Sequence, residues 1–351
     1  MRFVHETLPQ RVRFAPDDAR TGVTDEVVRL GAERVMVIAE DATAELAHRI
    51  TADIRVVLHH NEVVMHVPTE VAERARAAAA DCRADAVVSI GGGSTTGLAK
   101  AVAMTTGLPI VAVPTTYAGS EATAVWGLTE HGRKTTGTDL VVLPRAVVYD
   151  AALLRTLPSG VAMASGLNAM AHCVDSMWAP QADPINKALA AEGARALAEG
   201  LPRVHDDPVG LTGIEIALYG AYLAAVAFAS AGAGLHHKIC HVLGGAFDLP
   251  HAQTHSVVLP YVLALNAANA PQADARLAAA FGSASGLAGL QALRATLDAP
   301  HALRDYGFAE SDIPTAVEAI LPVVPASNPT TVTSENLTAL LRAAWKGSEP
   351  G

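Results

Sequence analysis

Ala86-Val-Val-Ser-Ile-Gly-Gly-Gly-Ser-Thr-Thr-Gly97 reads as a buried strand, a glycine turn and the approach to a helix. Ala86 to Ile90 carries no charge, as a strand covered on both faces requires. Gly91, Gly92 and Gly93 then stop it. Glycines let backbone amides approach an anion closely, and a following helix adds its unpaired N–H groups and positive dipole end. A tight turn needing positive φ accounts for some glycine here. Three in succession followed by Ser94, Thr95 and Thr96 exceed that need. A pyrophosphate is the natural guest, although the run is neither a GxGxxG fingerprint nor a P-loop.

Outward from this turn the alternation of strand and helix repeats. Residues 3–14 read as an opening strand, 24–30 as a short helix capped by Thr24, and 34–40 and 54–58 as strands. Helices are expected at 43–52 and at 69–82, with Thr69 as N-cap and Glu73 in support. Beyond the turn come a helix over 98–105, a strand over 108–114, and strands at 140–143 and 146–149. Alternation over residues 30–115 implies βαβ units and a doubly wound, mostly parallel sheet. Ligands of such sheets bind at the carboxyl ends of the strands. Thr115, Thr116 and Ser120 follow one strand end and Glu40 another. Glu40 is placed to accept from a ribose diol, a plain surface acid being the alternative.

After residue 150 the pattern changes. Stretches 159–177, 184–204 and 211–231 carry helical periodicity, no convincing strand appears, and Ser334 is expected to cap the last clear helix. The chain is therefore divided into an α/β dinucleotide-binding domain, residues 1–154, and an all-helical substrate domain, residues 155–351. At 351 residues one core of ordinary size is not enough. Half the residues are apolar and the net charge is −10, with scattered Lys and Arg, which excludes a nucleic-acid partner. Cys82, Cys173 and Cys240 form no CxxC or disulfide framework, as expected of reduced thiols in the cytoplasm. The first residues lack the apolar core of a signal peptide. Residues 214–235 are about long enough to span a bilayer, but Glu215 and three glycines favour a central buried helix, so no membrane association is expected.

The polar chemistry gathers in Gly234-Leu-His-His-Lys-Ile-Cys-His-Val-Leu-Gly-Gly-Ala-Phe-Asp-Leu-Pro-His-Ala-Gln-Thr-His255, which holds five of the 14 histidines. His237 and His241 are four apart and share a helix face. Gly244, Gly245 and Pro250 are expected to break that helix before a second opens at His251. The return brings His237, His241 and His251 to one point. Asn168 and His172, again four apart, join from upstream. A lone histidine is usually packing or surface, but buried imidazoles cost free energy unless paired or used, and four such groups make a site. His236 and His255, off the shared face, are assigned to surface or packing. Cys240 and His241 point about 100° apart on a helix, which argues against a Cys–His nucleophile pair.

These blocks, with Pro114-Thr-Thr-Tyr-Ala-Gly-Ser-Glu121 and Gly127-Leu-Thr-Glu-His-Gly-Arg-Lys134, resemble the iron-containing (group III) alcohol dehydrogenases and, among them, the maleylacetate reductases. The resemblance covers essentially the whole chain. It implies a nicotinamide dinucleotide on the N-terminal domain, an all-helical C-terminal domain and an active site in the cleft. It also implies a homodimer. An aspartate and three histidines hold the ion in the metal-dependent members; the matching positions are Asn168, His172, His237 and His251. His241 matches a histidine near the substrate. A neutral amide at 168 weakens a site for Fe²⁺, although three histidines still suit Zn²⁺. Maleylacetate reductases are similar in carrying Asn there, so the resemblance implies that no metal is required.

The implied reaction reduces maleylacetate, a dicarboxylate, to 3-oxoadipate in aromatic catabolism, with NADH preferred and NADPH tolerated. Hydride added β to the ketone leaves charge on the ketone oxygen. A histidine cluster without a carboxylate is expected to be net positive or donor-rich, with His241 donating to that oxygen or to a substrate carboxylate. The nearest rival is a metal-dependent alcohol dehydrogenase of the same fold. More distant ones are a glycerol-1-phosphate dehydrogenase, a dehydroquinate-synthase-like lyase and a nucleotide-binding sensor.

Overall fold

Val35 and Val37 point to one face of a sheet and Met36 and Ile38 to the other, all at most 1% exposed. That two-sided burial is what a strand deep in a parallel sheet requires. The structure, a computed structural model, describes residues 2–130 and 133–350. His131 and Gly132, in the Gly127–Lys134 block, lie outside the described residues. The chain forms two units: Leu8–Leu157, and Pro158–Gly351 together with the first seven residues.

In the first unit the elements run β1 (Arg11–Phe14), α1 (Ala19–Leu30), β2 (Val35–Ile38), α2 (Ala44–Ile50), β3 (Val56–His60), α3 (Thr69–Asp81), β4 (Ala86–Gly91) and α4 (Gly93–Thr106). Then follow β5 (Ile110–Pro114), β6 (Val125–Glu130), β7 (Arg133–Thr138) and β8 (Ala146–Tyr149). Six strands pair in parallel in the order β1-β8-β5-β4-β2-β3. Helices α1 and α2 pack on the Val35/Val37 face, and α3 and α4 on the Met36/Ile38 face. The winding reverses between β2 and β4, which makes that border the switch point where open α/β sheets bind ligands.

Several local expectations are corrected. Thr24 does not cap a helix; α1 begins at Ala19, and Thr24 Oγ1 donates to Arg20 O within it. The Asp150 carboxylate, distant in sequence, accepts from the backbone N–H groups of Asp17, Asp18 and Ala19 at 2.9–3.1 Å. Thr69 is the first residue of α3 rather than its cap, and its hydroxyl donates to Thr129 O. Residues 140–142 form a 3-10 turn capped by the Asp139 side chain instead of a strand. Helix α4 starts at Gly93, on the glycine run itself, instead of at residue 98. Among residues 3–10 no strand forms, and the antiparallel β6–β7 pair was not anticipated.

The second unit is helical: α5 (Ser159–Asp175), α6 (Pro184–Asp206), α7 (Leu211–Ala231), α8 (Leu235–Phe247), α9 (His251–Ala267), α10 (Pro271–Phe281), α11 (Gly286–Thr296), α12 (Ile313–Ile320) and α13 (Ser334–Lys346). Asp183 and Asn186 close a capping box at the start of α6, and Thr333, not Ser334, caps α13. Helix α7 is long and apolar enough to cross a membrane by length and composition, but about half of its most apolar window is buried in the protein. Its Ala217, Ala221 and Ala224 are at most 1% exposed. Helices α8, α9, α12 and α13 share a separate apolar core. Gly244 and Gly245 do not break α8. It continues to Phe247 and stops where Asp248 turns left-handed at φ 52°.

Candidate active site

At the carboxyl edge of the parallel sheet, β4 ends in Gly91 and α4 begins two residues later. Gly91 has φ +154°, and a Cβ there would lie 2.4 Å from Thr95 Oγ1; a side chain would block the first turn of α4. A Cβ on Gly92 would meet Thr116 Cγ2 at 3.2 Å, so the glycine turn and the threonines after β5 form one tight cradle. Gly91 O accepts from Thr115 N at 3.0 Å. No side chain caps the N-terminus of α4, which leaves first-turn N–H groups available to an anion. Gly92, Gly93, Ser94, Thr115, Thr116 and Ser120 are partly exposed around this turn. Glu40 is exposed two residues past Ile38. Ile38 pairs with Ser89, so Glu40 ends its strand level with Gly91. Gly91, Gly92, Thr115 and Thr116 therefore meet at this edge, with Glu40 level with them beyond β2.

Lys100, unremarked in the sequence, holds that edge in shape. It is fully buried on α4, and its Nζ donates to Ser120 O and Val125 O at 2.7 Å and to Thr123 Oγ1 at 3.1 Å. Burial depresses its pKa to about 7, with Glu121 opposing. Glu121 in turn accepts from Tyr149 Oη at 2.7 Å, and burial raises its pKa.

In the helical unit, α5, α8 and α9 bring six histidines together. The His172 and His237 rings stack with centroids 4.9 Å apart, and Phe228 lies 4.3 Å from His237. His255 is 4.8 Å from His237 and 4.3 Å from His251. His241 is 6.0 Å from His237 and 6.5 Å from His251. Asn168 lies one turn before His172 on α5, 2% exposed. The expected set thus converges. His236 and His255 belong to the same cluster: both are 0% exposed, and His236 Nε2 lies 2.9 Å from His255 Nδ1. A surface position is ruled out for them, because the α8–α9 return encloses both rings. Cys240 Sγ sits 3.7 Å from His236 Nε2, not from His241.

Asp175, one helical turn beyond His172 on α5, was missed. It is 0% exposed, and its Oδ2 lies 2.7 Å from His237 Nδ1 and accepts from His237 N at 3.1 Å. Burial raises its pKa to about 6, against the pull of the α8 backbone amides. Its spacing three residues after His172 was the only signal available. Burial drives the His172 pKa down to about 4 and that of His236 to about 3, and takes His237 and His255 well below the usual imidazole value. For His236, His237 and His255 the neighbouring rings add to the effect. The expectation of a net positive cluster without a carboxylate is therefore corrected. Its buried members are neutral, and a carboxylate adjoins them.

Family models described as "Iron-containing alcohol dehydrogenase" and "Fe-containing alcohol dehydrogenase family, C-terminal" match residues 9–151 and 162–345. The chain is 42% identical to a maleylacetate reductase of Sphingobium indicum, covering 100% of this chain and 99% of that one. Among solved structures, an iron-containing alcohol dehydrogenase from Corynebacterium glutamicum superposes with TM-score 0.98 at 59% identity, covering 100% of this chain and 98% of that one. A maleylacetate reductase from Rhizobium sp. strain MTP-10005 does so with TM-score 0.93 at 41% identity, covering both chains fully.

The iron-containing description of both matched models overturns the expectation that no metal is required, and the donor set agrees with the correction. His237 Nε2 and His172 Nδ1 are buried without a hydrogen-bond partner, and the His237 ring is held from its other nitrogen by a carboxylate, as metal-ligating histidines are. The donor atoms of His236, Cys240 and His255 also lie within 4.8 Å of one another. Losing one carboxylate at position 168 did not remove these neutral nitrogen and sulfur donors.

Proposed function

Because the chain belongs to the iron-containing alcohol dehydrogenase family, we propose that it transfers hydride from a nicotinamide dinucleotide to the carbon–carbon double bond of maleylacetate, giving 3-oxoadipate. The observation that carries this reading is Asn168 beside the histidine cluster, in a chain whose full-length relatives include named maleylacetate reductases. One hydride from NADH and one proton are consumed, and NAD⁺ is released.

In this reading the glycine turn, Gly91 to Ser94, receives the pyrophosphate, Glu40 the ribose diol, and Thr115, Thr116 and Ser120 line the same edge. His241 and His251 are the half-buried members of the cluster, and so the ones a dicarboxylate can reach. His241, outside the metal set, donates to the ketone oxygen, where charge develops, or to a carboxylate. Asn168, His172, His237 and His251 would hold the metal. When bound, it supplies Lewis-acid polarisation of a carbonyl oxygen. The deeply buried rings stay neutral and exclude water from the reacting carbons.

Purified protein mixed with NADH and maleylacetate is expected to lose nicotinamide absorbance with formation of 3-oxoadipate; turnover of short alcohols or diols alone would replace this assignment. That second reading, a metal-dependent alcohol dehydrogenase, draws support from the partnerless His237 Nε2. Cofactor choice is a separate expectation. An exposed carboxylate at Glu40 repels a 2′-phosphate and accepts from ribose hydroxyls, so kcat/KM with NADH exceeds that with NADPH, and Glu40→Ala narrows the gap. Equal efficiency with both cofactors in the wild type would remove Glu40 from the site. We also read the protein as a cytoplasmic homodimer. Exposed Phe3, Ile185 and Tyr219 offer it an apolar surface.

A further inference from the structure

We propose that Asp175 is a positioning residue. Its carboxylate fixes the Nδ1–H tautomer of His237, so that Nε2 presents a lone pair to the histidine cluster, and Gly234 is the clearance that allows it. Oδ2 lies 2.7 Å from Nδ1, and an ionised carboxylate can only accept. The imidazole proton therefore sits on Nδ1. Nε2, buried without a hydrogen-bond partner, can accept or ligate but cannot donate. This separates His237 in kind from a histidine that must donate to a developing oxyanion.

Gly234 has an ordinary backbone at φ −85°, so conformation does not demand glycine. A Cβ there would fall 2.3 Å from Asp175 Oδ1 and 2.6 Å from its Cγ. The glycine is required because the carboxylate fills the space a side chain would take. The plain alternative is that Asp175 only caps α8 by accepting from His236 N at 3.3 Å and His237 N at 3.1 Å. Asparagine distinguishes the two roles. An amide oxygen in the place of Oδ2 still accepts from His237 N and Nδ1–H, giving up only the longer bond from His236 N, so the cap survives while the negative charge behind the imidazole is lost.

The test is Asp175→Asn and Gly234→Ala in the full-length protein. For its kinetic arm the inference rests on the proposed reaction. We expect kcat with maleylacetate to fall about 10–100-fold in both variants, with KM for NADH near wild type and a lowered thermal midpoint in Gly234→Ala alone, where the new Cβ displaces the buried carboxylate. Nitrogen NMR of labelled histidine is expected to place the His237 proton on Nδ1 in the wild type. A wild-type kcat in Asp175→Asn, or an Nε2–H tautomer in the wild type, overturns the inference. The wild-type spectrum decides even if both variants fail to fold. Failure of the wild type to turn over maleylacetate counts against the proposed reaction alone, because the tautomer is read without substrate.

Discussion

His241→Ala and His251→Ala are each expected to lower kcat/KM for maleylacetate about 100-fold, with NADH affinity changed by less than about twofold. Of the six clustered histidines these two are only half-buried, while His172, His236, His237 and His255 are closed off by α5, α8 and α9. Their rings lie 6.5 Å apart and within 19° of parallel. Hydride arriving β to the ketone pushes charge onto the ketone oxygen, and an N–H group aimed there acts only once the charge has formed. Loss of one such donor costs about 2.7–4 kcal/mol of transition-state stabilisation. In the proposed reading NADH affinity is set by the glycine turn and Glu40, so it should stay put. Steady-state kinetics with NADH binding followed by fluorescence separates the two effects. Near wild-type turnover in either variant would reduce the cluster to packing and sink the mechanism.

Long-period patterns in the sequence were legible, and short-range boundaries were not. The αβ alternation, the parallel sheet and the glycine turn follow from apolar runs such as Val35–Ile38, buried on both faces, and from β4 giving way to glycine. The convergence of His172, His237, His241 and His251 follows from spacing of four on helices joined by a short return. Boundaries failed where distant residues decide them: Asp150 meets the N-terminus of α1 from across the unit. Leu140–Val142 was lost to a side-chain cap from Asp139, a local bond that competes with strand pairing. Gly244 and Gly245 are weak breakers inside a helix whose apolar face is well packed. For His236 and His255, read as surface or packing, only the surface alternative fell, for a different reason. Helical periodicity says which residues share a face, but not that a second helix, α9, covers the other face. The neutral amide at Asn168 was overread in the same way, since one position cannot report on the donors that remain.

Lowering the pH from 6 to 5 is expected to destabilise the fold. Folding holds His172, His236, His237 and His255 neutral with pKa values below 6.5. The unfolded chain protonates them near 6.5, so below that pH it binds more protons than the native state, and stability falls as acid is added. Each such imidazole contributes about 1.4 kcal/mol per pH unit within this window. Asp175 and Glu121 act in the opposite direction. Their native pKa values are raised, that of Asp175 to about 6, so the folded state takes up protons that the unfolded chain still releases. The imidazoles outnumber the carboxyl groups four to two, so unfolding takes up protons on balance and stability falls as the pH falls. Against a native stability of about 5–15 kcal/mol each kcal/mol lost matters, and in a chain of 351 residues it lowers the thermal midpoint by about 1.4 °C. Calorimetry at pH 7, 6 and 5 checks it, with the drop setting in as the pH falls through about 7. Replacing His255 with the neutral, similarly shaped Gln should flatten the slope by about one proton, unless the lost His236 contact unfolds the cluster outright. A thermal midpoint that stays level from pH 7 to 5 would mean these rings are already charged or hydrated in the native protein, and the neutral floor of the site would have to be given up.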